Sequence, residues 1–96
     1  MKKYSVWVYV FDSNTDCEPD VRVYPTKHEA KEAVKRSFNE YVNCDEYKST
    51  EEAKANAREE FEESKNERFH ITLYDGEMVH VFAEKRTFDY FSTRGK

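Results

Sequence analysis

The chain has 96 residues, with 16 basic and 20 acidic side chains, a formal net charge of −4, and seven Phe, seven Tyr and one Trp. This aromatic content excludes a disordered chain, and no apolar run approaches the roughly 20 residues that a membrane-spanning helix needs. We therefore predict one folded domain over 1–91 and a frayed tail at 92–96. Because the first residues show no signal-peptide pattern, we expect a cytoplasmic protein in which Cys17 and Cys44 are free thiols.

The first predicted element is a strand over 3–11 (KYSVWVYVF), in which apolar side chains occupy both alternating sets of positions. A polar, turn-rich loop follows over 12–20. A short second strand at 21–24 pairs with the first as a hairpin, but a loop of this length does not fix the register.

The first predicted helix covers about 27–42. Thr26 and Glu29 have the spacing of a capping box at its start, and apolar residues from Ala30 to Val42 follow at helical spacing.

Ser49 and Glu52 repeat the capping-box spacing before a second helix at about 50–66. Its apolar stripe is thin, so Phe61 is expected to provide most of its packing.

The last third is predicted to be a hairpin, with strands at 68–73 and 77–85. A three-residue loop that places Gly76 in the left-handed region sets Ile71 opposite Val79 and His70 opposite His80. The aromatic segment 87–91 either extends the second strand or folds back.

The order β-β-α-α-β-β predicts an α+β two-layer sandwich, in which a four-stranded, mainly antiparallel sheet carries two helices on one face. We expect the helices to cover the aliphatic set and the opposite face to carry the aromatic set. The aliphatic set is Val6, Val8, Val10, Val21, Val23, Phe69, Ile71, Val79 and Val81. The opposite set is Trp7, Tyr9, Phe11, Arg22, Tyr24, His70, Thr72, Met78, His80 and Phe82.

Four aromatic residues are the first candidate binding site. Such a face stacks nucleic-acid bases in single-strand binders, and it equally suits a protein or dimer interface. The alternative is that the segment 88–91 folds over it and makes it ordinary core. The candidates are Trp7, Tyr9, Phe11 and Tyr24.

Acidic residues are the second candidate site. Residues 45–67 hold nine acids and four bases, a net charge of −5, so the rest of the chain has a net charge of +1. Such a surface attracts basic proteins and repels nucleic acid, and the alternative is a solvated helix face. The candidates are Glu52, Glu59, Glu60, Glu63 and Glu67.

No residue pattern predicts catalysis, a cofactor or a metal site. His70 and His80 make one pair, but zinc needs three or four ligands and the sequence places no third. The glutamate pairs lie on exposed helical stretches, whereas hydrolytic carboxylates need one acid in an apolar pocket.

These observations favour a non-enzymatic module that binds another protein with a basic surface. In size and composition the chain is like small acidic proteins of phages and mobile elements that block a host protein, so inhibition is one expectation. A structural homodimer and a single-stranded nucleic-acid binder are the alternatives. Nucleic acid is the less favoured partner, and we expect no membrane partner.

Overall fold

The computed structural model describes residues 3–15, 17–43 and 49–89, and all their side chains except those at positions 3, 4, 88 and 89. The predicted α+β architecture is confirmed: four antiparallel strands form one sheet in the order β2-β1-β4-β3, with two helices. The elements are β1 (Lys3–Ser13), β2 (Asp20–Tyr24), α1 (Lys27–Tyr41), α2 (Glu51–Glu63), β3 (Arg68–Thr72) and β4 (Met78–Asp89).

The two long strands, β1 and β4, form the centre of the sheet. They pair antiparallel from Lys3 opposite Asp89 to Ser13 opposite Val79, while the five-residue strands β2 and β3 flank them. The aromatic segment predicted from residue 87 therefore extends β4 as far as Asp89. The predicted tail and the end of the 88–91 segment lie outside the described residues.

Helix α1 begins as predicted. The Thr26 hydroxyl accepts a hydrogen bond from the backbone N–H of Glu29 at 3.2 Å and donates its own hydrogen to the Glu29 carboxylate at 3.0 Å. These bonds satisfy one of the free N–H groups of the first turn and place an acid at the positive end of the helix.

Helix α2 differs from its predicted bounds at both ends. Thr50, not Ser49, caps it, accepting from the Ala53 N–H at 3.0 Å, whereas the buried Ser49 hydroxyl donates to the Thr72 carbonyl at 2.6 Å. The helix ends at Glu63 because Lys65 and Asn66 adopt left-handed backbone angles, with φ of 60° and 68°. Such angles cannot continue a right-handed helix.

The predicted register of the β3–β4 hairpin is confirmed. Ile71 lies opposite Val79 and His70 opposite His80. The Leu73 N–H donates to the Glu77 carbonyl at 2.8 Å, and Gly76 has φ of 93°, as the three-residue loop requires.

The predicted face of β1 and β2 is wrong. Tyr9 is 7% exposed and belongs to the core beneath the helices, and Trp7, Phe11 and Tyr24 pack against that core. In register, Tyr9 lies beside Ala83 and Phe11 beside Val81, so the aromatic set shares the helix-covered face with the apolar residues of β3 and β4. Val6, Val8 and Val10 therefore point to the opposite face.

Side-chain volume explains this choice of face. The side of α1 that meets the sheet is built of small residues, including Ala30, Ala33 and Ser37. Large rings on the sheet fill the space that small helix residues leave, and protein interiors tolerate few voids. The Tyr9 hydroxyl also makes a 2.6 Å hydrogen bond with the Ser37 hydroxyl, which satisfies both buried polar groups.

Neither helix in the described part of the chain is long and apolar enough to cross a membrane.

Candidate binding surfaces

The sheet face that neither helix covers, here called the open face, is the first candidate surface. Its apolar part crosses three strands: Val21 and Val23 on β2, the valines of β1, and Phe82 and Met78 on β4. The exposed fractions are 53% for Val21, 61% for Val23 and 52% for Met78. The described residues of the open face are Val6, Val8, Val10, Asp12, Val21, Val23, Arg68, His70, Thr72, Met78, His80, Phe82, Glu84 and Arg86.

The part of the open face next to β3 is polar. The Cα register places Asp12 of β1, His80 of β4 and His70 of β3 in one row across the sheet. Glu60 of α2 continues the row, since one of its carboxylate oxygens lies 2.6 Å from His70 Nδ1. Its other oxygen accepts from Arg68 Nε at 3.2 Å. Helix α2 therefore borders the open face at β3.

Four of the five predicted acidic residues share one side of α2. At 100° per residue they span about 100° of the helix circumference. Glu60, at one edge of this span, contacts β3, whereas Glu52, Glu59 and Glu63 lie about 120–160° around the helix from the buried Ala57. We call this set the acidic stripe: Glu52, Glu59, Glu60 and Glu63.

The structure separates the predicted acids into engaged and free groups. Glu60 is held by Arg68 and His70, and Glu67, beyond the helix, pairs with Lys27 Nζ at 3.2 Å. Within the described part of the chain, the side chains of Glu52, Glu59 and Glu63 are exposed and have no partner. These three provide the uncompensated charge of the acidic stripe.

The position of this charge is unfavourable to the helix itself. Four of the last five residues of α2 are glutamates, and its last turn contains no base. Acids at the negative end of a helix dipole, and like charges at i,i+4 spacing such as Glu59 and Glu63, each cost a few tenths of a kcal/mol. The fold therefore does not need these carboxylates for its stability.

The four aromatic candidates do not form an exposed surface. Tyr9 lies inside the core, and burial raises the pKa of its phenol, while the hydrogen bond with Ser37 acts in the opposite direction. Lys27 Nζ lies 5.4 Å from the centre of the Trp7 ring, and Phe11 packs against Tyr41 with ring centres 5.5 Å apart. The structure brings Trp7, Tyr9, Phe11 and Tyr24 together, but on the helix-covered side.

Val21 and Val23 are the surface residues that the sequence analysis missed, whereas Val8 and Val10 beside them are buried. Because both alternating sets of side chains in β1 are apolar, the two-residue period of the strand does not show which set faces away from the helices. The small residues of α1, with Ser37 among them, were the available indication that rings fill the covered side.

The described residues contain no group of three or more His, Cys, Asp or Glu side chains placed to hold a metal ion. Cys17 is a free, exposed thiol, and the predicted state of Cys44 lies outside the described residues.

Comparison with known proteins adds no relative from which a role could be transferred. No protein-family model matches the chain, and neither a curated protein nor a solved structure is significantly similar to it.

Proposed function

We propose that this chain is a non-enzymatic protein-binding module whose open face, together with the acidic stripe at its β3 border, binds a partner protein. The observation that carries the proposal is the exposure of Val21, Val23 and Met78 on a sheet face that neither helix covers. Val21 and Val23 lie together on β2, beside the buried Val8 and Val10 of β1. Neighbouring exposed apolar residues of this kind are typical of interaction sites.

The charge beside this face indicates the chemistry of the partner. Glu52, Glu59 and Glu63 carry unpaired negative charge. Glu59 and Glu63 lie in the last turns of α2, where this charge lowers the stability of the helix, so these two have a better use in an interface than in the free protein. A partner that combines apolar residues with a flank of Lys or Arg side chains is complementary to both parts. Its association would be accelerated by the opposite charges.

Occupation of a surface is the mode of action that follows from this proposal. A protein that covers a basic surface of its partner competes with any other acidic ligand for that surface, so we include inhibition in the proposal. Base stacking loses support, because Phe82 is the only Phe, Tyr or Trp among the open-face side chains described.

The proposal is tested by capture from the source cell with matched baits. The wild-type chain is compared with Val21→Thr/Val23→Thr, which removes apolar surface at nearly constant shape, and with Glu59→Gln/Glu63→Gln, which removes charge. Arg36→Gln on the exposed part of α1 is the control. We expect one discrete protein that the wild type and the control retain equally and that each double variant retains at least tenfold less.

Salt and self-association complete the test. Binding of the captured protein should weaken between low and physiological salt in the wild type, and less so in the Gln variant. Retention that is equal on all four baits would contradict the proposal. A wild-type dimer in sedimentation equilibrium that the Thr variant abolishes would also contradict it, because the open face would then bind a second copy.

A further inference from the structure

His70 and His80 are direct neighbours across the β3–β4 ladder, and both project from the open face. Their ring centres lie 6.5 Å apart with the planes at 90°. Both side chains are exposed, and a cavity of about 320 Å³ beside them is lined by Glu60, His70, Met78, Val79 and His80.

Glu60 fixes the chemistry of the first ring. Its carboxylate lies 2.6 Å from His70 Nδ1, so the neutral imidazole donates its Nδ1 hydrogen to this oxygen and keeps Nε2 as an unprotonated nitrogen. This is the arrangement in which proteins commonly present histidine to a metal, because a carboxylate behind the ring orients it and raises its basicity.

Asp12 stands in the equivalent place on the other side of the pair. It is the cross-strand neighbour of His80 on β1, it is exposed, and its side chain has no partner in the described part of the chain. The row across the sheet is therefore carboxylate, imidazole, imidazole, carboxylate.

We infer that His70 and His80 together bind a divalent transition-metal ion such as Zn²⁺ or Ni²⁺, with Glu60 as the carboxylate that supports the His70 ring. Imidazole nitrogen is a preferred ligand of these ions. The site has two protein ligands, one fewer than the smallest group of metal-binding side chains sought in the described residues. Water molecules fill the remaining coordination positions of the ion.

The geometry needs only a small adjustment. With Zn–N bonds of about 2.1 Å, two imidazoles at a tetrahedral angle have ring centres about 5 Å apart. The observed separation is 6.5 Å. The two rings therefore have to move closer together when the ion binds, and both side chains are exposed, with the His80 ring 5.1 Å from that of Phe82 between centres.

The test is a titration of the full chain with ZnCl2 and, separately, NiCl2, followed by calorimetry and by the ¹⁵N shifts of the histidine rings. We expect one ion per chain and shifts at the ring nitrogens of His70 and His80. His70→Asn and His80→Asn should each weaken binding at least tenfold. Glu60→Gln should weaken it about 10-fold or more, because carboxylates that hold a metal-binding histidine have effects of this size.

His28→Asn and Cys17→Ser are the controls, since they remove the third histidine and the exposed thiol, and binding should not change in either. The inference is overturned if wild-type ring nitrogens do not shift at millimolar metal. It is equally overturned if the ion binds with unchanged affinity after loss of either His70 or His80. The wild-type shifts decide the matter even for a variant that folds poorly.

Discussion

At Tyr9, the side chain that anchors β1 beneath α1, burial and hydrogen bonding act on the same hydroxyl. Tyr9 as a residue is 7% exposed, and burial raises the pKa of its phenol above the ordinary value of 10.0. A phenol whose folded-state pKa is raised contributes stability that is complete below about pH 10 and is lost as the pH rises through the folded-state pKa.

Tyr9→Phe should therefore remove one source of alkaline instability. The free energy of unfolding of the wild type minus that of Tyr9→Phe should be constant up to about pH 9 and should fall above about pH 10, because only the wild type must ionise or retain a buried phenol. Urea melts at a series of pH values measure this difference. Parallel curves to pH 11 would show that the Tyr9 hydroxyl is not buried in the folded protein.

Phe38 and Phe61 test the packing between the helices. Their rings stack with centres 4.0 Å apart and planes 9° from parallel, and Phe38 also meets Phe69 edge-on at 5.3 Å. Phe38→Ala should cost about 3–5 kcal/mol, and Phe61→Ala should cost less because Phe61 is partly exposed. A double-mutant cycle by urea melts should give a coupling of about 0.5–1.5 kcal/mol. Independent effects of the two changes would contradict the stack.

Among the elements, α2 shows the conflict between stability and proposed binding most clearly. Neutralising Glu59 and Glu63 removes an i,i+4 repulsion and an acid from the negative end of the helix. Glu59→Gln/Glu63→Gln should therefore stabilise the fold by about 0.5 kcal/mol while it weakens partner binding. Thermal and urea melts at low salt provide the check, with Arg36→Gln as control. A clear loss of stability would mean that these carboxylates have structural partners.

The β3–β4 turn tests backbone geometry without side-chain contacts. A Cβ added at Gly76 would meet no atom within 4 Å, so Gly76→Ala changes only the cost of the left-handed angle. We expect a loss of about 1–2 kcal/mol, with a smaller loss for Gly76→Asn because Asn tolerates this region better. Equal stability of wild type and Gly76→Ala in urea melts would rule out a positive φ at this turn.

The elements were predictable from sequence where local chemistry determines them. Thr26 with Glu29 marked the start of α1, and the three-residue loop at Gly76 set the hairpin register, because caps and turns depend on a few adjacent residues. The end of α2 was missed, since Lys65 and Asn66 adopt left-handed angles that their types only weakly suggest.

The covered side of β1 could not be read from its period. Valines and aromatic residues alternate along β1, and both are hydrophobic. The packing of α1 on the sheet decides which set is covered: the small residues of α1 leave room for the Tyr9 ring, so the valines lie on the opposite face. The candidate surface therefore moved from the rings to Val21 and Val23, while the acidic residues of α2, chosen from the charge count, remain a proposal.

For the whole molecule, neither helix covers the open face, at whose centre Val8 and Val10 are buried while Val21 and Val23 at its β2 edge are exposed. The helices and one sheet face enclose the core, and the open face combines exposed valines with a polar row that ends at α2. Apolar surface and a pair of histidines thus lie on one side of the molecule, with Glu60 at its border. Under the proposed function, a partner covers this side and extends around the edge of α2 to the free glutamates.

The most direct test places a photo-activated cross-linking amino acid at position 23, the most exposed open-face valine, and in a matched chain at position 36 on α1. After irradiation in the source cell, the account predicts that position 23 cross-links to one discrete protein other than this chain and that position 36 does not. Equal labelling from both positions, or a product from position 23 made only of two copies of this chain, would contradict it.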